Sequence, residues 1–375
     1  MQLHQNGILC QIMYKKRYKK KIHNRASNSR KKYVSHSRLT FVCLFLRLFS
    51  VLLAALFLLC LLFFGVIGII CLGPSPAARN LFVNTVTQTS AAGFLARIYL
   101  SADEVESITT QNDIGSSQAV TNTSAVRITK KTTASDSAGT ASSDTASGIT
   151  VTDITGTSYH GKLMCIDDPA RVSFYTIDTF STSGTGKQLS EMISETGSIA
   201  GMNAGGFYDP NGKGHGGMPL GAVIQNGTLI SNYESEYKTL IGFDASHKLI
   251  IGNMSAADAI GMGMQNGITF GPALVINGQR IPYPDNAGGL NPRSAIGQKS
   301  NGAILLLVID GRQPGSLGAS FKDLCDIMLQ YGAVNAANLD GGSSSILYYQ
   351  GQQLNASSSL IGLRPLPTAV LVSAE

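Results

Sequence analysis

The first 47 residues contain no aspartate or glutamate, although they hold twelve lysines and arginines. The remaining 328 residues are the opposite, with 17 basic and 23 acidic side chains. The net charge of +6 therefore describes neither part. Cysteine is scarce after the first 72 residues, where only Cys165 and Cys325 occur. Each sits in an apolar run and reads as a small hydrophobe, with a Cys165–Cys325 disulfide the less favoured alternative. No cluster of His and Cys has zinc spacing. Asp209 and Asn211 hint at calcium, but the oxygen-ligand spacing of an EF-hand loop is missing. Metal use is left unknown. No cofactor is required by the sequence, and a divalent cation has no support in it. Gly-x-Ser-x-Gly is also missing, so Ser343–Ser345 is not a serine-hydrolase elbow.

One long run without charge is present. Residues 48–72 read LFSVLLAALFLLCLLFFGVIGIICL, 25 apolar or small residues. That length spans a bilayer with some tilt and exceeds the apolar core of a signal peptide. The lysines and arginines before it, among them Lys15, Lys16, Arg38 and Arg47, predict a cytoplasmic N-terminus. The basic cluster is explained by anionic lipid next to the span, so no nucleic-acid partner is inferred. The expected organisation is a basic cytoplasmic tail (1–47), a transmembrane helix (48–72), a juxtamembrane stalk (73–112), a linker (113–153) and a folded external domain (154–375). In the stalk, Phe94, Leu95, Ile98 and Val105 recur at helical spacing, and Ser101 begins a capping box with Glu104. The linker is rich in Ser, Thr, Ala and Gly, a composition that buries too little to order itself.

In the folded domain, short apolar runs alternate with turn signals. Asn226-Gly227 and Asn277-Gly278 are hairpin turns by composition, and Gln350-Gly351 is a further turn. Helices are expected over 188–196, 255–264 and 316–331. The last has a stripe of Leu317, Phe321, Leu324, Cys325, Met328 and Leu329, ended by Gly332. With strands 303–309 and 336–339 it makes a βαβ-like unit with parallel strands. The fold class is therefore α+β (mixed α/β), a mixed β-sheet with packed helices, preceded by one transmembrane helix.

A series of polar residues flanked by glycine stands at the ends of these runs. It reads Asn203-Ala204-Gly205-Gly206-Phe207, then Arg293, Asp310-Gly311-Arg312, and Asp340-Gly341-Gly342-Ser343-Ser344. With Gly271-Pro272 and Ile296-Gly297 in order between them, the series resembles the phosphodiester glycosidase domain family, over about residues 160–375. Bacterial members of that family are often described as exopolysaccharide biosynthesis proteins. Two departures stand out: Ala204 follows Asn203, and Ser343 replaces a glycine, with Ser344 matching the family serine.

The resemblance implies hydrolysis of a sugar-1-phosphodiester. A phosphodiester leaves as a stabilised anion, so the reaction needs cations on the phosphate more than a strong general acid. Arg293 and Arg312 suit bidentate phosphate contacts. Asp310 and Asp340 are the candidate nucleophile and base beside an oxocarbenium-like sugar, in an order left open. Gly341 and Gly342 backbone N–H groups and the Ser344 hydroxyl are candidates for an anion nest. Gly205 and Gly206 are candidate substrate contacts. Asn203 either binds substrate or shapes its turn. His215, in a glycine-rich loop, is either a proton shuttle or phosphate ligand, or a solvated side chain. The expected partner is a phosphoglycan or sugar-1-phosphodiester outside the cell. The alternative is a non-catalytic module that binds or assembles surface polysaccharide.

Overall fold

Ile304–Ile309 is the sequence Ile-Leu-Leu-Leu-Val-Ile, and all six residues are buried. A strand apolar on both faces belongs inside a sheet that is covered on both sides. In the computed structural model it pairs with His160–Ile166 on one side and Arg293–Lys299 on the other. The structure describes residues 2–89, 92–110, 119–128, 141–144, 148–359 and 362–374. Its largest sheet has eight strands, with Ile149–Thr155, His160–Ile166, Ile304–Ile309, Arg293–Lys299, Ala333–Leu339 and Ala273–Ile276 as consecutive neighbours. Two five-stranded sheets complete the fold, one built on Met264–Phe270 and one on Ser198–Asn203 and Thr368–Ser373. Apolar faces of all three sheets meet in one core with the helix Phe321–Gln330. The chain is thus a mixed α/β protein with several sheets.

The helix Phe321–Gln330 begins at a Ser320 cap, whose hydroxyl accepts from Asp323 N while the Asp323 side chain reaches back. It buries Phe321, Leu324, Cys325, Ile327 and Met328. Removing one such large side chain costs about 2–5 kcal/mol. The expected start at Ser316 is five residues too early. Leu317, placed by spacing in the core stripe, is 58% exposed. The loop before the helix contains left-handed residues at Arg312, Gly315 and Gly318, which a helix cannot accommodate. The strand–helix–strand unit is present, and both strands run the same way. They are not neighbours, because Arg293–Lys299 lies between them, antiparallel to both.

All three turn signals close hairpins. Asn226-Gly227, Asn277-Gly278 and Gln350-Gly351 each have two successive positive φ values, as a two-residue hairpin loop requires. Gln188 and Ser255 cap the helices Leu189–Thr196 and Ala256–Gly261. Cys165 and Cys325 are both free thiols.

Two boundaries differ from expectation. The domain begins by Ile149, whose strand pairs along its whole length with His160–Ile166. Ile149 and Ile154 face the core, which the Ser/Thr-rich composition around them conceals. Residues 119–128 also pack on the domain: the Thr121 hydroxyl accepts from Ile251 N, and Arg127 N donates to Ser300 O. Residues 113–118, 129–140 and 145–147 of the expected linker lie outside the described residues. The segment expected as a stalk forms helices Pro76–Thr87 and Ala102–Thr110, the latter with the Ser101–Glu104 capping box.

Residues 1–69 form a separate unit. The helix Gln2–Leu72 contains the segment Cys43–Leu72, which is long and apolar enough to cross a membrane. Its large side chains, such as Leu52 and Phe57, are exposed.

Candidate active site

Three strand ends build the site. Arg293 starts the strand that lies between the ones ending before Asp310 and Asp340. Register sets Arg293 opposite Ile309 and Ser294 opposite Leu339, so the two aspartates flank it from neighbouring strands. Two strand spacings separate their backbones, about 10 Å.

Arg293 is only 4% exposed. Its Nε donates to Ala319 O at 3.1 Å, and its Nη2 donates to the carbonyls of Gly288 and Gly289. The guanidinium lies 4.5 Å above the Phe321 ring. Burial, then the nearby Arg312 charge, lowers it to about 9, so it stays cationic at neutral pH. Its Nη1 has no hydrogen bond among the described residues, which leaves donors for a ligand.

Arg312 adopts φ +58°, the left-handed region that a bulky residue enters only when held there. Its Nη2 donates to Asn291 Oδ1 at 3.0 Å and to Gln88 O at 3.3 Å. A Cβ on Gly342 would stand 3.2 Å from Arg312 Nη1, so glycine there gives the guanidinium its place. Loss of hydration lowers the Arg312 guanidinium, and Asp340 opposes that shift.

Asp340 keeps part of its surface accessible but lies deep enough that loss of hydration raises its carboxyl to about 6. A hydrogen bond from the Ser344 side chain, the Arg364 charge and the Gly341 N–H at 3.0 Å all pull the other way. Asp209 adds a smaller upward push. Asn203 fixes the peptide: its Nδ2 donates to Asp340 O at 2.6 Å. The Asn203 Oδ1 accepts from Ser294 Oγ and Ile346 N at 2.7 and 3.1 Å. Asn203 is fully buried with its amide engaged at both ends, so it positions Asp340 and does not itself reach a ligand.

Asp310 faces elsewhere. Its Oδ1 accepts from Asn355 Nδ2 at 3.3 Å and Ala356 N at 3.0 Å. Burial raises its carboxyl, and those two bonds oppose the rise. The nearby His160 and Lys162 charges oppose the rise as well. Charge coupling thus links Arg312 to both Arg293 and Asp340, whereas the Asp310 carboxyl is held by Asn355 and Ala356.

The glycines act through packing. Gly341 N–H donates to the Asp340 carboxylate and Gly342 N–H to Pro292 O at 2.9 Å, so neither is free for an anion nest. The Ser344 hydroxyl is directed at Asp340 in the same way. Gly205 N–H donates to Thr368 Oγ1 at 3.0 Å. Gly206 lies against Phe270, whose ring stacks 4.2 Å from Tyr237. The N–H groups of Gly205, Gly341 and Gly342 are thus engaged within the protein, and Gly206 packs against an aromatic ring.

Residues without a sequence signal complete the site. Tyr237 is close enough to feel both Asp340 and Arg293; burial raises its hydroxyl, with Glu236 and Asp340 adding to the rise. Arg364 forms two 2.8 Å contacts with the Asp209 carboxylate, donates to Gly214 O, and lies 4.5 Å over Phe207. Asp209 is thus committed to an ion pair. His215, on the same loop, is exposed and touches the fold through its carbonyl, which accepts from Gly186 N at 2.7 Å. No group of three metal-ligating side chains occurs among the described residues. A cleft of about 620 Å³ opens beside Tyr237, lined by Tyr233, Glu234, Lys238 and Asn253 among others. The arginines and Asp340 lie outside that lining.

The chain resembles known proteins over this region. Residues 196–373 match the profile of the phosphodiester glycosidase family. The SPbeta prophage-derived uncharacterized protein YomE of Bacillus subtilis is 30% identical over 190 residues, covering 48% of this chain and 28% of that protein. The N-acetylglucosamine-1-phosphodiester alpha-N-acetylglucosaminidase of Mus musculus is 22% identical over 217 residues, covering 52% and 41%. The chain thus spans less than half the length of either curated relative. Among solved structures, the catalytic domain of the zebrafish N-acetylglucosamine-1-phosphodiester alpha-N-acetylglucosaminidase aligns at 20% identity and a TM-score of 0.48, covering 60% of this chain and 82% of that one. A hypothetical protein from Synechocystis aligns at 20% identity and a TM-score of 0.43, covering 61% and 62%. Residues 196–373 thus carry a match to the phosphodiester glycosidase domain.

Proposed function

We propose that this protein hydrolyses a sugar-1-phosphodiester in a glycan outside the cell, with Arg293 and Arg312 on the phosphate and Asp340 on the sugar side. One observation carries the reading: Arg312 is charge-coupled both to the buried Arg293 and to Asp340, a carboxylate whose proton is held to about pH 6. In the reaction the bond from the anomeric carbon to the phosphate oxygen breaks, and its electron pair leaves on the phosphate. Arg293 and Arg312 stabilise that growing charge. Water adds to the anomeric carbon, and Asp340 takes the proton that water releases. A carboxylate titrating near 6 suits a general base at neutral pH better than one with an ordinary low value.

The anchor and the address belong to the same proposal. The segment Cys43–Leu72 crosses the membrane, the basic tail stays in the cytoplasm, and the domain faces outward. Its substrate is then a glycosyl phosphate in a wall, capsule or exopolysaccharide polymer. The test uses the full chain in detergent micelles with aryl phospho-sugars of several sugars. Free sugar is expected from at least one, and Asp340→Asn is expected to abolish release while phosphate still binds. Phosphate binding without turnover across the panel supports the binding-module alternative and sinks the enzyme reading.

A further inference from the structure

Both arginines of the site rest on a segment outside the family-matched residues. Helix Pro76–Thr87 starts at a Ser75 cap and reaches the loop 286–291. Asn84, only 2% exposed, donates from Nδ2 to Asn286 O at 3.1 Å. The Thr85 hydroxyl accepts from Leu290 N at 3.1 Å. Gly289, at φ +60°, lies directly under this helix: a Cβ there would stand 2.4 Å from Thr85 N and 2.6 Å from Asn84 C. Gly288, at φ +74°, faces the other way, and a Cβ on it would stand 2.7 Å from Arg293 Nη2. The Gly288-Gly289 pair is thus a thin layer between the helix backbone and the buried guanidinium. Its two carbonyls are acceptors for Arg293 Nη2.

A second arm reaches the other arginine. The Gln88 side-chain carbonyl accepts from Asn291 Nδ2 at 3.4 Å, and Asn291 Oδ1 accepts from Arg312 Nη2 at 3.0 Å. The Gln88 backbone carbonyl also accepts from Arg312 Nη2. Arg312 is held in a left-handed conformation that its own backbone disfavours, so an external hold on its head has a physical purpose.

We infer that Asn84, Thr85 and Gln88 are positioning residues for the phosphate-binding arginines, so the functional unit of this protein includes the segment just after the apolar helix. This rests on the phosphate reading of Arg293 and Arg312. A guanidinium shifted by about 1 Å loses bidentate geometry and much of its contribution to a charged ligand. The segment therefore sets affinity for phosphate without touching it.

The experiment compares the full chain in micelles with Asn84→Ala, Thr85→Val, Gln88→Ala and the control Thr87→Val. Thr87 donates to Val83 O within the helix and makes no loop contact through its hydroxyl. Inorganic phosphate binding is measured by calorimetry, and kcat and KM are measured with a cleaved aryl phospho-sugar. Asn84→Ala and Thr85→Val are expected to weaken phosphate binding about tenfold and to raise KM by a similar factor. Thr87→Val should bind as the parent does, with a comparable melting temperature. Gln88 is exposed, so Gln88→Ala is expected to fold normally and to weaken phosphate about threefold. Unchanged phosphate affinity in Gln88→Ala and in any folded Asn84 or Thr85 variant overturns the inference. So does tighter binding or faster turnover, which would make the segment an obstruction. If the parent chain itself binds no phosphate, the reading of the two arginines fails and this inference falls with it.

Discussion

Ser344→Ala isolates the chemistry of Asp340 from its location. The Ser344 hydroxyl bonds to the Asp340 carboxylate and holds its titration down, against the burial that raises it to about 6. A hydrogen bond to a charged group contributes about 1.5–3 kcal/mol, and 1.36 kcal/mol corresponds to one pH unit. Losing the bond is therefore expected to move the titration up by about one to two units, to roughly 7–8. If Asp340 is the base, kcat/KM needs its ionised form and rises with pH through that value. At pH 6.5 about three quarters of the parent carboxyl is ionised, against about a tenth for a group at 7.5, so the variant should be about eightfold slower there. At pH 9 both are ionised and the rates should converge. The assay is free-sugar release by the full chain between pH 5 and 9, with phosphate affinity measured in parallel. A uniform loss at every pH, with the rising limb unmoved, would refute the role given to Asp340.

Other consequences follow from the same geometry. The native Asp340 carboxyl holds its proton to about 6, against an ordinary value of 3.8, so raising the pH across that window draws protons preferentially from the unfolded chain and lowers stability. The ionised group then costs up to about 3 kcal/mol above pH 6. Asp340→Asn should abolish turnover while raising the melting temperature at pH 7.5 but not at pH 4, as read by circular dichroism; equal effects at both pH values would contradict the argument. Asp310→Asn should keep turnover within about threefold, because that carboxyl is committed to Asn355 and Ala356, whereas removing a true general base costs about 10²–10⁴-fold. Arg312→Gly relieves a left-handed conformation that costs about 1 kcal/mol or more, so it should melt higher yet bind phosphate at least tenfold more weakly. With one carboxylate acting as base on water, the released sugar should have the inverted anomeric configuration by NMR, and retention would require a covalent intermediate.

Parts of the candidate site were legible before any fold was known. Arg293, Arg312 and Asp340 stand at ends of apolar runs, and strand register alone brings those ends to one rim. Hairpin turns were legible because Asn-Gly and Gln-Gly tolerate successive positive φ values wherever they occur. Asp310 and Asp340 looked equivalent because both follow a buried run and precede glycine. They differ because Asn355 and Ala356, 45 and 46 residues further on, capture one carboxyl and Ser344 turns to the other. Arg364 had no pattern to reveal it; its role comes from Asp209, Phe207 and Gly214, all about 150 residues away.

The sequence by itself determined the apolar membrane-length run, the basic flank, the capped helices, the hairpin turns and the order of the polar residues. Each follows from local length, charge, φ preference or periodicity, which act within a few residues. Tertiary structure decided which polar groups remain free for chemistry. Whether a buried N–H or carboxylate already has a partner depends on chain that is distant in sequence. The Asn203 amide, the Gly342 N–H group and the Asp310 carboxyl were all taken by such partners. Arg293, Arg312 and Asp340 were left together at the rim, held from behind by a helix that begins at residue 76.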